Sequence, residues 1–470
     1  MMDYFKLLQE IKNRYEHKVF LIIDGKSYTY GKIYEEAKLL GEKIKSVKEN
    51  NKQKNIKDNI FVYSDNFYFQ IITFFAVNAC ESIPVILHYN LPKETFLKIA
   101  IENNIKYIIT DENLNFNNLK QIEVHKDICE NLKEIFLYNT NARENDIITN
   151  SEVCMGALTS GSTGIPKILY RTYESWAGFF KTQNEVFKIN SDSRLFFNGS
   201  LSFTGNLNTI MSVLYEGGTI VSITKFHCRS WDFAIREHKV TNIYLVPTKL
   251  KVLNKFLRKP LKDVKSIFTG SELLFKNTAE DLKKNFPNSE IIMYYGASEL
   301  NYITYLNYEE ICYKPLSIGK PFPNIGVLIK NGFIYVNTKY HVEGFSSPCT
   351  VYDAGYMDED GYLIFDGRKD SVINKGGIKV SGIKIENELK KIAQINDVVV
   401  VGCDDDKKGS EIVAFVVTNR EITKEYIIKK LKKNLMNVEI PKKIIFVKSM
   451  PLNNSGKIDR LKLISNNYIV

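Results

Sequence analysis

The chain has 470 residues, of which 44% are hydrophobic, 12% aromatic and 25% charged, and it carries a formal net charge of +10. That profile excludes a lone small binding module, a disordered or fibrous chain and a membrane-embedded one; at roughly 150 residues per domain there is room for about three lobes or one elaborated α/β unit with an appendage. The basic residues are scattered among Asn and Ile along the whole chain, with no basic stripe of the kind that binds nucleic acid.

In chain order, short apolar runs at Val19–Ile23, Ile60–Tyr63, Pro84–Leu87, Tyr107–Ile109, Ile243–Val246, Ser266–Phe268 and Ile291–Tyr294 predict strands. Helical stretches such as Phe67–Ala79 separate most of them, which predicts parallel-rich sheets flanked by helices, an α/β fold. Lys48–Asp58 and Asn139–Ser151 read as surface joints. After Gly361 the texture changes. Gly361–Phe365 predicts a strand, Asp366–Asp370 a charged turn suited to a hinge, and beyond it a small α+β domain has helices at Lys384–Gln394 and Lys424–Leu435 and strands at Val398–Val401, Ile412–Val417 and Lys443–Val447.

Cys80, Cys129, Cys154, Cys228, Cys312, Cys349 and Cys403 lie far apart with no C-x-x-C pair, which fits buried thiols in a reducing cytoplasm better than a disulfide framework or a zinc ribbon. The six histidines show no zinc spacing. The first eighteen residues lack a signal-peptide core, and no uncharged apolar run is long enough to span a bilayer, so no integral membrane segment is expected.

The richest segment is Thr159-Ser-Gly-Ser-Thr-Gly-Ile-Pro-Lys167, directly after the strand candidate Val153–Leu158. Its glycines allow tight curvature with amides aimed at oxygens, while the hydroxyls and Lys167 add donors and charge, a composition that wraps phosphate. Ile165 and Pro166 separate Gly164 from Lys167, which excludes the contiguous Gly-Lys-Ser/Thr of a P-loop.

The order of residues in that loop resembles the phosphate-loop signature of the adenylate-forming superfamily of acyl-CoA synthetases, adenylation domains and luciferases. The resemblance recurs in Tyr295-Gly-Ala-Ser-Glu299, Ser317-Ile-Gly-Lys-Pro321, Tyr352-Asp-Ala-Gly355 with Asp358, Asp366-Gly-Arg-Lys-Asp370, Gly376-Gly-Ile-Lys-Val-Ser381 through Glu386, and Pro451 to Arg460. It implies a large ATP- and acid-binding domain over residues 1–369 and a small mobile domain over 370–470. The implied reaction joins a carboxylic acid to ATP as an acyl-adenylate and then to a thiol.

The resemblance also implies roles. Thr159, Ser160, Gly161, Ser162, Thr163, Gly164 and Lys167 would hold the ATP phosphates, and Gly270, Ser271 and Glu272 the adenine. Tyr295 and Gly296 would line the nucleotide, Asp353 would accept from the ribose hydroxyls with Arg368 assisting, and Ser298 stands in the phosphate-contacting Thr position. Glu299 would ligate Mg²⁺, Lys457 would bridge acid and phosphate, Asp370 would be the hinge, and Gly376 and Gly377 would line the thiol tunnel. One departure is Met293, where many members carry a polar residue, so adenine recognition there would fall to backbone groups.

The acid would meet Phe197 to Asn208, where Phe203 is the candidate aromatic gate and Gly205 leaves room for an acyl or aryl group. This segment holds no carboxylate to pair with a substrate ammonium, which argues against an α-amino acid and leaves aliphatic acyl and aryl acids both open, a fatty or other aliphatic acid being the expected one. No carrier domain follows Arg460, so a free-standing ligase is expected. Its acceptor would be coenzyme A or, alternatively, the phosphopantetheine of a separate acidic carrier protein. A nucleotide-binding protein without turnover is the reading from another class.

Overall fold

The structure, a computed structural model, describes residues 2–48, 57–89, 93–114, 119–129, 132–140, 150–159, 167–368, 372–375, 378–405, 409–452 and 458–465. The loop 160–166, Asp370, Gly376, Gly377 and Lys457 lie outside the described residues, as do the middle parts of both predicted surface joints.

Three sheets organise the fold. In the thirteen-stranded sheet the strands Glu290–Ala297, Ser266–Thr269, Asn242–Tyr244, Arg194–Phe197, Thr219–Ser222 and Val19–Ile23 are neighbours in that order, each parallel to the next. Their apolar composition follows from burial on both faces. Antiparallel strands extend this sheet at both ends, the longer extension running from Asn301–Leu306 through Ser317–Pro321, Leu363–Arg368, Asp353–Met357 and Phe333–Asn337 to Gly326–Lys330. A seven-stranded sheet holds Asn59–Tyr63, Ile83–Ile86, Val153–Thr159 and Lys167–Thr172. A five-stranded sheet built from residues 372–446 carries its own apolar core, so the molecule has a large N-terminal and a small C-terminal domain.

Local chemistry explains the boundaries. Helix Phe67–Ala79 is apolar on every side because nearly all of it is buried, and Asn66 Oδ1 caps it by accepting from the amides of Tyr68 and Phe69 at 3.0 and 3.2 Å. The strand expected to run to Val246 stops at Tyr244, since Val246 caps a helix that Pro247 opens. The strand expected from Gly361 begins at Leu363, because Gly361, at φ +78°, belongs to the turn closed on Asp358. Helix Gly382–Lys390 is shorter than expected; Lys391 and Ile392 wind it down through bonds to Glu388 and Leu389, three residues back.

Parallel strands bring the motifs to one place. The segments that follow Phe197, Thr269 and Ala297 all leave the carboxyl ends of the parallel strands, where open α/β sheets bind ligands.

Candidate active site

The phosphate-loop segment rises from an antiparallel hairpin. Thr159 stands opposite Lys167 at its mouth, so the seven intervening residues start and finish side by side. Below them Gly156 is indispensable, since a Cβ there would lie 2.7 Å from Ile168 and 2.9 Å from Val85.

Arg171, on the exit strand of this hairpin, escaped the sequence reading. It is only 1% exposed, and burial lowers its guanidinium to about 10, against the charges of Tyr4 and Glu299 that act to raise it. It therefore stays charged at neutral pH. Nη2 donates to the Ser298 carbonyl at 2.6 Å, and Nη1 reaches the Tyr340 carbonyl at 3.0 Å and both the carbonyl and Oγ of Ser175 at 3.3 Å. Trp176 packs against the guanidinium at 5.2 Å. One planar fork thus joins the hairpin to the turn that carries Ser298 and Glu299. A lone arginine in a strand gives no sequence signal for this, because the carbonyls of Ser298 and Tyr340 that it joins are more than a hundred residues away.

Ser298 and Glu299 occupy the half-buried turn after Glu290–Ala297. Ser298 Oγ lies 2.8 Å from Thr204 Oγ1 at the start of helix Thr204–Glu216, which seats this turn against the expected acid-binding segment. The Glu299 carbonyl accepts from the Val342 amide at 2.9 Å. Among the described residues no group of three or more His, Cys, Asp or Glu converges on one point, so a Mg²⁺ at Glu299 would complete its shell with nucleotide oxygens and water, as hard cations with few protein ligands do.

Asp353 is 1% exposed, and Tyr295 Oη donates to its Oδ2 at 2.5 Å. Its partner across the antiparallel ladder is Arg368, whose side chain lies outside the described set. Two motifs fifteen residues apart are therefore joined by strand pairing, and the donor set, a buried carboxylate opposite an arginine, fits a ribose.

Gly270 follows its strand where a Cβ would come within 2.4 Å of the Tyr294 ring. Ser271, at φ +70°, turns the chain, and Glu272 accepts from Thr248 Oγ1 at 2.8 Å. Met293 is buried, and its sulfur accepts from the Leu274 amide at 3.0 Å, holding the Gly270–Leu274 loop to the sheet. The side of Gly296 where a Cβ would stand is closed by the Asn301 carbonyl at 2.6 Å, at the bulge after Tyr295.

Phe203 caps helix Thr204–Glu216 and meets the edge of His88 at 5.0 Å. Burial pushes the His88 imidazole below its ordinary value, which favours the neutral ring beside this aromatic. The room expected at Gly205 is taken by the Tyr244 hydroxyl, 2.7 Å from a would-be Cβ; that hydroxyl is 2.9 Å from Tyr294 Oη. Here the glycine admits a tyrosine. Nearby Lys249 is buried, and its Nζ donates to the carbonyl and Oδ1 of Asn198 at 2.9 and 2.8 Å. With no described carboxylate beside it, burial lowers its ammonium to about 8.

In the small domain the segment 453–457 is bracketed by a bridge from Leu452 to Ile458 and by the Asp459 amide donating to the Pro451 carbonyl at 2.8 Å. Arg460 donates to Glu386 Oε1 at 2.9 Å and to the Val400 carbonyl at 2.8 Å, tying the segment of Lys457 to helix Gly382–Lys390. Lys390 on that helix lies over the Phe275 ring at 4.3 Å, one point where the two domains touch. Asp358 forms a surface turn instead of joining the ribose pair: it accepts from Lys314 at 2.9 Å and from the Tyr362 amide at 2.8 Å.

Comparison with known proteins agrees with this geometry. The AMP-binding enzyme family matches residues 8–333 and the AMP-binding enzyme C-terminal domain matches residues 384–457. YhfT of Bacillus subtilis strain 168, an uncharacterized acyl-CoA ligase, is 32% identical over 328 residues, 65% of this chain and 67% of that protein. VraA of Staphylococcus haemolyticus, provisionally named a long chain fatty acid-CoA ligase, is 25% identical over 475 residues, 98% of this chain and 97% of that one. Among solved structures, ATP-bound MatB from Rhodopseudomonas palustris shares the fold at TM-score 0.79 and 17% identity over 100% of this chain and 99% of that one. The o-succinylbenzoate CoA synthetase of Bacillus subtilis with its acyl-adenylate does so at 0.77 and 18% over 97% of each. The same synthetase has been solved with ATP and magnesium. With the two halves matched in order, the chain belongs to the AMP-binding enzyme family, among the acyl-CoA ligases.

Proposed function

We propose that this protein converts a fatty or other aliphatic acid to its coenzyme A thioester at the expense of ATP. The observation that carries the reading is a chain of contacts among the motifs: Arg171 joins the hairpin of Thr159 and Lys167 to the Ser298–Glu299 turn, and Tyr295, three residues before that turn, bonds Asp353 of the Asp353–Arg368 pair. In the first step a carboxylate oxygen attacks the α-phosphorus and pyrophosphate leaves; in the second a thiol sulfur attacks the acyl carbon, loses its proton and releases AMP. Both reactants of the first step are anionic, so fixed donors and cations must meet the charge that gathers there. Lys457, Lys167, the loop 160–164 and Ser298 are assigned that task, Asp353, Arg368 and Tyr295 hold the ribose, and Gly270, Ser271 and Glu272 with Gly296 flank the adenine. Mg²⁺ at Glu299 would neutralise phosphate charge.

An aliphatic acid is supported by the absence of a carboxylate from Phe197–Asn208, by the apolar Phe203–His88 face and by the name of the VraA relative. Coenzyme A as acceptor rests on the names of the relatives, and a cytoplasmic location on the scattered cysteines. The division at Asp370 places Lys457 and the Gly376–Gly377 pair in one mobile unit, each presented for one half-reaction. The assay is AMP and thioester formation by mass spectrometry with ATP, Mg²⁺ and a panel of aliphatic and aryl acids, with and without coenzyme A. Coenzyme A thioesters of aliphatic acids are expected; pyrophosphate release without thioester would reassign the acceptor to a carrier protein. Lys457→Ala should lose adenylate formation yet still turn synthetic acyl-AMP and coenzyme A into thioester, and equal loss of both steps would remove the two-presentation scheme.

A further inference from the structure

Lysines and arginines are spread along the chain, but their excess over acids is not. Residues 225–265 hold eleven Lys and Arg against three Asp and Glu, a net of +8 in a chain whose total is +10. Helix Cys228–Glu237 runs through this stretch. Its inner face buries Cys228, Trp231, Ala234 and Ile235, so ordinary amphipathic logic leaves a polar outer face. Instead Arg229, Phe233 and Arg236 line the outside, within an arc of about 60° at 3.6 residues per turn, with Arg236 paired to Asp232 at 2.9 Å; Phe226, just before the helix, sets its ring against Trp231 at 4.9 Å. Phe226 and Phe233 are 55% and 67% exposed.

The adjoining helix Pro247–Phe256 ends in the same style. Lys255, Arg258, Lys259 and Lys262 are exposed and Phe256 is 48% exposed. Arg236 Nη2 donates to the Lys259 carbonyl at 2.5 Å, which brings this segment beside the first helix. Lys239, Lys262 and Lys265 then border an open depression of about 540 Å³ at the opposite end of the strands from the nucleotide motifs.

Exposed phenylalanines are costly in water, and cations crowded around them repel one another; an anionic phospholipid surface relieves both, burying the rings at the acyl boundary and pairing the cations with phosphates. We propose that this two-helix face docks the protein peripherally on anionic membranes, independently of which acid the enzyme activates. A folded acidic protein would answer the charge, but exposed phenylalanines among the cations suit the apolar and anionic layers of a lipid interface better than a polar protein rim.

The test is co-sedimentation of the full chain with vesicles of phosphatidylglycerol and phosphatidylcholine in equal parts, against vesicles of phosphatidylcholine alone. Binding is expected to the mixed vesicles only and to weaken with salt. Phe226→Ser with Phe233→Ser should weaken it roughly tenfold, and Arg229→Glu with Lys259→Glu at least as much, at about fivefold or more per cation. Both variants should keep wild-type ATP–pyrophosphate exchange with a water-soluble acid, which separates lost docking from lost folding. Three results overturn the proposal: no binding to mixed vesicles, equal binding to both vesicle types, or binding indifferent to both variants. Capture of an acidic carrier protein through these residues, with no vesicle binding, overturns it in favour of a protein partner.

Discussion

Two buried cations support different segments, Arg171 the Ser298–Glu299 turn and Lys249 the loop at Asn198, and their difference is instructive. Arg171 spreads its fork over three chain segments, whereas Lys249, among the described residues, gives its ammonium to Asn198 alone. Burial leaves the guanidinium at about 10, still charged in any neutral buffer, but takes the lysine to about 8, within reach of titration. A delocalised planar cation tolerates desolvation and fixes geometry; a compact ammonium in the same condition becomes a group that can shed its charge. Arg171 is accordingly a positioning residue for the Ser298–Glu299 turn, and Lys249 a pH-sensitive support of the segment proposed to bind the acid.

The largest break in this comparison is Arg171→Met. Removing the fork leaves buried carbonyls unpaired and frees the Ser298–Glu299 turn from the hairpin, so adenylate formation should fall about a hundredfold in kcat, with roughly 3 kcal/mol or more of stability lost. Thioester formation from synthetic acyl-AMP should fall far less, and an equal fall in both steps would mark the residue as merely structural. Asp353→Ala supplies the contrast from the binding side: the KM for ATP should rise about tenfold to a hundredfold while the Arg171 network is untouched. Arg171→Lys comes next. It keeps the charge but not the fork, and should recover part of the adenylation rate, about tenfold below wild type.

The smallest effect is on Lys249. Its folded pKa lies below its ordinary 10.5, so between about 8 and 10.5 the unfolded chain binds more protons than the folded one, and stability rises with pH in that window. Below pH 8 the buried charge is a standing cost of about 3 kcal/mol, offset by its bonds to Asn198. Lys249→Met should therefore melt a few degrees higher than wild type at pH 7, with the advantage gone by pH 10, where only the lost hydrogen bonds count. A difference in melting temperature that does not change with pH would refute the assignment.

The motifs proposed for the site could be read in advance because they are short contiguous strings: Thr159–Lys167, Tyr295–Glu299 and the Asp353 segment carry their resemblance in their order. Neighbours in sequence remain neighbours in space. The supports were not readable. Arg171 reaches Ser298 and Tyr340 across more than a hundred residues, Thr204 meets Ser298 across ninety-four, and Lys249 finds Asn198 across fifty-one. The space at Gly205 shows the same limit, since nothing near it in the chain announces that Tyr244 will fill it.

For the fold, apolar runs and their spacing determined the strands Val19–Ile23 and Ser266–Thr269 and the helix Phe67–Ala79, because burial demands those patterns locally. The ends at Tyr244, Leu363 and Lys390 came from caps and turns. The amino-acid order by itself determined the alternation of strands and helices and the string of nucleotide motifs. Tertiary structure alone decided which buried charges meet which carbonyls, and which phenylalanines of the basic stretch 225–265 stay exposed. Desolvation and hydrogen-bond geometry depend on distance through space, and the chain's order does not set that distance until it has folded.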